Sequence, residues 1–245
     1  MSIHSKIYVS LTTIPTRFNN IYPCIDSLLN QLFLPTKIII QIPNIFNFRF
    51  NNSSISDKEI QDFKNHYSYT NLIEVNKCSH DWGPGTKLIG FLEQNICLED
   101  SFIILVDDDV VYDNTFLHGF ICHLYHKSVA SYCVYNYSNV LVGQGVDGFL
   151  MHGELMKDFL KYYQVIKDTK YINFHDDMYI SFYFKLKKII IHKVDKKETI
   201  YSNYNNCEAL SNLDGDFSRE NINTKCIELL NNYWIKKHSF DFLIN

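Results

Sequence analysis

Ser101-Phe102-Ile103-Ile104-Leu105-Val106-Asp107-Asp108-Asp109-Val110-Val111-Tyr112-Asp113 is the stretch that decides the fold. A short run without a polar side chain between Phe102 and Val106 predicts a strand covered on both faces, as in a parallel sheet. It ends in three consecutive carboxylates. Like charges at that spacing repel, so they need solvent or a cation to offset them. In open α/β sheets the ligand crevice lies beyond the carboxyl ends of the strands, which is where Asp107, Asp108 and Asp109 fall. The pattern points to a hard-cation site that takes a diphosphate. The competing reading is a solvated acidic turn.

Toward the N-terminus, the order of patterns is β-α-β-α-β-α-β. Ile7–Thr13 reads as a strand, Ile14–Phe18 as a loop, and Ile21–Phe33 as a helix on the spacing of Ile25, Leu28, Leu29 and Leu32. Lys37–Pro43 is a second strand, and residues 44–54 read as a polar surface loop. Ser56 with Glu59 is a capping box opening a helix toward Tyr67. Leu72–Val75 is a third strand, Asp81–Gly85 a turn, and Thr86–Asn95 a helix. Toward the C-terminus, Asn114–Lys127 reads as a helix, and Ala130–Val134 and Val140–Val142 as strands. Residues 143–148 form a loop and Glu154–Val165 a helix. His175-Asp176-Asp177 opens an apolar segment, Ile189–His192 is a strand, residues 201–216 are loop-like, and Arg219–Lys236 is an amphipathic helix. The expected fold class is α/β, a Rossmann-like, mostly parallel sheet flanked by helices, in a single domain spanning 1–245.

Composition narrows the function. The chain has 245 residues, a formal net charge of −4 and no long basic run, which argues against a nucleic-acid partner. No N-terminal segment has the order of a signal peptide and no apolar run is long enough to span a bilayer, so the expectation is a cytoplasmic protein. Seven scattered cysteines suit reduced thiols better than a disulfide framework. The richness in Asn, Ile, Lys, Tyr and Phe is that of an AT-rich coding sequence. Aromatic content is therefore weak evidence for sugar stacking.

Three further motifs fall at strand ends or helix starts. Thr12-Thr13-Ile14-Pro15-Thr16-Arg17 offers hydroxyls and a guanidinium to a nucleoside or phosphate, or is a capping turn. Asp81-Trp82-Gly83-Pro84-Gly85-Thr86-Lys87 lets the backbone approach an anion at a helix start, or is an ordinary turn with a solvated lysine. It is not a Walker A loop. Asp176 and Asp177 gain from a helix dipole, or supply a general base. Among the histidines, His118, His123 and His126 lack a metalloprotease spacing, and Cys78 with His80 lacks a second ligand pair. These read as structural or surface groups. His192, at the end of a strand, is a candidate ligand to the same cation as the aspartates.

Taken together, the motifs from Ile7 to about His192 resemble GT-A glycosyltransferases of the family 2-like and exostosin-like kind. The resemblance rests on Leu11–Arg17, Gly83–Lys87, Asp107–Asp109, Gly145-Val146-Asp147-Gly148-Phe149 and His175–Asp177. It implies transfer of a hexosyl or N-acetylhexosaminyl group from a nucleotide-sugar donor, with UDP as the nucleotide, to a glycan or other hydroxyl acceptor. It implies Mn2+ (or Mg2+) held by Asp109 and Asp108, with His192 as a late ligand. Thr12, Arg17, Asp81, Lys87, Asp107 and Asp108 take the donor-binding positions, and Trp82, Asp147, Gly148 and His175 the acceptor side. Asp177 takes the base position beside Asp176, where the family carries Glu-Asp. Residues 1–112 would form the nucleotide-sugar half and 113–245 the acceptor and catalytic half. Two other readings compete. One is a haloacid-dehalogenase-like phosphatase with Asp107 as nucleophile; the other is a non-catalytic nucleotide-sugar or glycan-binding module.

Overall fold

The structure, a computed structural model, describes residues 5–94, 96–168, 171–195, 201–203, 215 and 218–236, with the backbone alone at 201–203 and 233–236. In chain order its elements are β1 (Lys6–Thr12), α1 (Pro15–Phe18), α2 (Tyr22–Leu29), β2 (Lys37–Pro43), α3 (Asp57–His66), β3 (Ile73–Cys78), α4 (Thr86–Leu92) and β4 (Ser101–Leu105). There follow β5 (Val110–Tyr112), β6 (Val129–Ser131), β7 (Val134–Tyr137), β8 (Val140–Gly143), β9 (Phe149–His152), α5 (Phe159–Ile166), α6 (Asp176–Leu186), β10 (His192–Lys193), β11 (Tyr201–Asn203) and α7 (Arg219–Lys236). The main sheet has seven strands in the order β10-β6-β9-β4-β1-β2-β3. Pairings among β4, β1, β2 and β3 are parallel, while β9 runs antiparallel to both β4 and β6.

The apolar run of β4 is explained by its two neighbours in depth. Ile103 and Leu105 pack into a core with α4, α5, α6 and α7, whereas Phe102 and Ile104 pack on the other face with α2 and α3. Every residue of the strand is buried, so no position tolerates a polar side chain without a partner. The expected capping box forms: Ser56 Oγ accepts from Glu59 N–H, and the Glu59 carboxylate accepts from Ser56 N–H. A cap of this kind contributes about 1 kcal/mol.

Several expectations give way to tertiary structure. The loop after β1 contains a short helix, α1, because Pro15 sits at its first turn, where its missing N–H costs nothing. Residues 114–127 do not form an α-helix; only a 3-10 segment over His118–His123 is helical. The Gln31 side chain explains part of this, since its amide donates to Asp113 O and its oxygen accepts Leu117 N–H, fixing that segment to α2. The predicted strand Ala130–Val134 is two strands, with a break at Tyr132 and Cys133. Ser138 and Asn139, at φ 47 and 65, make the tight turn from β7 to β8. Phe149–His152, unassigned by local pattern, is a central strand, and a 3-10 turn over Gly153–Met156 precedes α5 where a helix was expected from Glu154. Tyr201–Asn203 pairs antiparallel with β5 instead of being loop; residues 204–214 of that tail, with Cys207, lie outside the described residues. Among the described residues no helix is long and apolar enough to cross a membrane.

Candidate active site

The carboxyl end of β4 opens into a crevice of about 250 Å³. Asp107, Asp108 and Asp109 form its floor, and three devices hold their turn in place. Tyr112 Oη accepts the Asp107 N–H at 3.0 Å and lies 3.2 Å from Val146 O, to which it donates. Cys24 Sγ lies 3.4 Å from Asp107 O as donor. Ser27 Oγ accepts Tyr112 N–H at 3.0 Å. The aspartates are therefore set on a rigid turn rather than a free loop.

Two cations face them. Arg17, from α1, lies 2.9 Å from Asp108 Oδ1 and 2.7 Å from Asp109 Oδ2. Lys87, from the first turn of α4, lies 2.7 Å from Asp107 Oδ1 and 3.1 Å from Asp176 Oδ2. Its own backbone is fixed by Ser10 Oγ, which donates to Lys87 O at 2.6 Å. Burial would lower the Lys87 pKa, but Asp107, Asp176 and Asp177 outweigh it and hold the ammonium well above its ordinary value. Burial pushes Asp108 up to about 6 against the opposing pull of Arg17. Asp109 is raised by burial and by Asp107.

Across the crevice, α6 begins with Asp176 and Asp177. Asp177 Oδ1 accepts Gly145 N–H at 2.9 Å, which ties the 143–148 loop to the helix start. Burial first, and Asp176 second, push Asp177 up to about 8. His175 lines the same wall. Burial, with Arg219 and Lys87 nearby, lowers its pKa to about 3, so the imidazole is neutral, and its Nε2 is buried without a hydrogen-bond partner. A buried polar atom left unsatisfied at a crevice is a natural contact for a ligand.

The structure thus brings Thr12, Arg17, Asp81, Lys87, Asp107, Asp108, Asp109, His175, Asp176 and Asp177 around one cavity. Four other expected site residues are placed elsewhere. Trp82 is buried in the core with its ring against His80. Asp147 is buried and does not line the crevice. Gly148 adopts φ +81 over Phe116 and Phe120, where a Cβ would clash, and does not line the crevice. His192 sits on the edge strand β10 against His123 and Tyr125 and does not line the crevice. Asp81 is also committed to structure: its two oxygens accept Phe48 N–H at 2.8 Å and Gly83 N–H at 2.9 Å. Gly83 is needed there because its φ is +57 and a Cβ would lie 2.5 Å from Asn173 O.

Other lining residues escaped the sequence reading. Phe46, Phe48, Arg49 and Phe50 come from the stretch expected to be a surface loop, yet Asp81 folds that stretch inward to wall the crevice. Phe48 meets Phe174 with ring centroids 4.5 Å apart. The alternation of aromatics around an arginine was the available signal, and compositional bias masked it. Arg219, at the start of α7, joins them from far along the chain.

Six aspartates line the crevice against four cationic side chains, Arg17, Arg49, Lys87 and Arg219. The donors on the turn after β4 are carboxylate oxygens, a set that fits a hard divalent cation.

No protein-family model matches the chain, and no curated protein does. Solved structures do. The mannosyltransferase PcManGT from Pyrobaculum calidifontis, in complex with GDP-Man and Mn2+, matches with 11% identity and a TM-score of 0.53, over 78% of this chain and 55% of that one. S. aureus TarS 1-349 in complex with UDP-GlcNAc matches with 15% identity and a TM-score of 0.57, over 95% of this chain and 67% of that one. The chain spans little more than half the length of the mannosyltransferase. At these identities the likeness is one of fold: a GT-A-like glycosyltransferase fold with a mostly parallel central sheet in one domain.

Proposed function

We propose that the chain is a metal-dependent glycosyltransferase that moves a sugar from a nucleoside-diphosphate sugar, with UDP as the nucleotide, to a hydroxyl of a glycan acceptor. One observation carries the reading: Lys87 bridges the aspartate turn after β4 and the Asp176-Asp177 pair that begins α6. Donor-binding and base-bearing groups thereby share one crevice. The fold, common to enzymes captured with GDP-Man or UDP-GlcNAc, supports the same class.

In this reading Asp109 and Asp108 would hold Mn2+ or Mg2+, which would supply Lewis acidity to the departing diphosphate. Arg17 and Lys87 add fixed positive charge where the leaving group gains negative charge. The Phe48 and Phe174 rings give the nucleobase an apolar face to lie against. Asp177 takes the acceptor's hydroxyl proton as the acceptor oxygen bonds to the sugar's anomeric carbon. The bond from that carbon to the diphosphate breaks, and the nucleoside diphosphate leaves with the electron pair. A raised carboxyl pKa suits a base working near neutral pH. His175, on the wall of the same crevice, serves the acceptor side in this reading.

Comparing Asp109→Ala with Asp177→Ala tests this division. Asp109→Ala loses Mn2+-dependent binding of UDP-sugars in a thermal-shift titration, while Asp177→Ala keeps it and loses transfer. Equal loss of donor binding in both sinks the assignment. A Mg2+ response to a phosphate mimic, with no nucleotide bound, favours the phosphatase.

A further inference from the structure

A second cluster of ligand-type side chains lies at the opposite end of the sheet. His152 closes β9 opposite Phe102, near the start of β4, whereas Asp107 follows its far end. Five strand residues rising about 3.3 Å each put roughly 16 Å between the two places. Around His152 gather His126, from the loop before β6, and Glu154, from the turn after β9. His126 Nε2 and Glu154 Oε2 touch, and the His126 and His152 rings meet edge-on at 4.9 Å. One ligand atom from each of the three residues lies within 4.8 Å of the others.

We infer that His126, His152 and Glu154 form a binding site for a borderline transition-metal dication of the Zn2+ class. Two imidazoles and one carboxylate are the donor set of zinc sites that keep a fourth position open. Imidazole nitrogen also separates this site from the aspartate crevice, whose oxygens suit Mg2+ or Mn2+. With metal–nitrogen bonds of about 2.0–2.1 Å, tetrahedral ligand atoms stand about 3.3 Å apart, so on loading the His126–Glu154 contact opens while the pairs with His152, within 4.8 Å, need close by no more than about 1.5 Å.

The mobile and fixed parts are distributed to allow that closure. His152 is buried and packed edge-on against Phe102 at 4.9 Å, so it is the fixed ligand. Its Nδ1 accepts Glu154 N–H at 3.3 Å, a long bond that competes weakly with a metal. The His126 side chain is 63% exposed and so has room to re-orient, and Glu154 is 31% exposed, which leaves the fourth position to water. A bound ion ties the loop before β6 to the turn that leads into α5. The metal-free contact between His126 and Glu154 keeps the two ligands near each other before loading.

The test is a Co2+ titration of the full chain, followed by visible absorption, with Zn2+ as competitor. Wild type and Asp109→Ala should each give one tetrahedral-type Co2+ spectrum that Zn2+ abolishes. His126→Ala, at an exposed position, and Glu154→Gln, at a half-buried one outside the core, should weaken it at least as much as the about 10- to 100-fold typical of losing an outer partner. Zn2+ should raise the melting temperature of wild type and not of His126→Ala. No spectrum up to millimolar Co2+, or one that survives both substitutions, overturns the inference. So does a spectrum lost only in Asp109→Ala.

Discussion

Lys87 Nζ donates to Asp107 Oδ1 at 2.7 Å, joining the first turn of α4 to the end of the central strand. The lysine is 3% exposed, so this charge is not shared with solvent. Replacing it by Met keeps most of the volume and leaves Asp107 and Asp176 without the cation that bridges them. Removing one partner from a buried ion pair costs about 3–5 kcal/mol. Urea denaturation of Lys87→Met should show a loss of that size near neutral pH. An unchanged midpoint at pH 7 would refute the buried network.

Asp177 links stability and activity in opposite directions. Its folded pKa is raised, so the folded chain keeps a proton that the unfolded chain releases near the ordinary aspartate value of about 3.9. The associated stability is complete below that value and is lost as pH rises through about 8. Asp177→Asn stays neutral at every pH and keeps an oxygen for the Gly145 N–H. At pH 9 it should melt about 2–4 °C above wild type, the shift that about 1 kcal/mol gives in a chain of this size. The gap should close toward pH 4. Transfer should be lost, and wild-type kcat/KM should rise with pH along a limb above the ordinary carboxylate range.

Arg17 occupies both Asp108 and Asp109, so a cation entering there competes with the guanidinium. Arg17→Ala leaves Asp108 buried and unpaired with its cation, at a cost of about 3 kcal/mol. Saturating Mn2+ should restore part of that loss, raising the melting temperature of Arg17→Ala by more than that of wild type. Equal Mn2+ shifts in the two proteins would place the ion away from these carboxylates.

Phe48 is held over the crevice by the Asp81 carboxylate. Removing an aromatic face under a base costs about 1–3 kcal/mol. Phe48→Ala should weaken nucleotide binding about 10-fold with little change in stability, measured by calorimetric titration of UDP with Mn2+. An unchanged affinity would move the base to another wall.

The sequence alone determined the half of the fold that local patterns encode. The run Phe102–Val106, the helix periodicity before it and the Ser56–Glu59 box are local signals; α3 forms where the box puts it and α7 over the stretch read as an amphipathic helix. It also marked the charged floor, because three adjacent carboxylates cannot be neutral packing.

Tertiary structure decided what local pattern could not. The central strand Phe149–His152 is four residues long and antiparallel to both neighbours, so nothing in its own sequence fixes its place between β4 and β6. Phe48 and Arg49 turn inward only because Asp81, some thirty residues away, accepts the Phe48 N–H. Arg219 reaches the crevice only because α7 packs back on α6. His126 has no metal spacing in sequence, and becomes a ligand candidate when β9 delivers His152 and Glu154 beside it. Short segments carry too little apolar area to specify their own partners. Burial of long-range neighbours chooses for them.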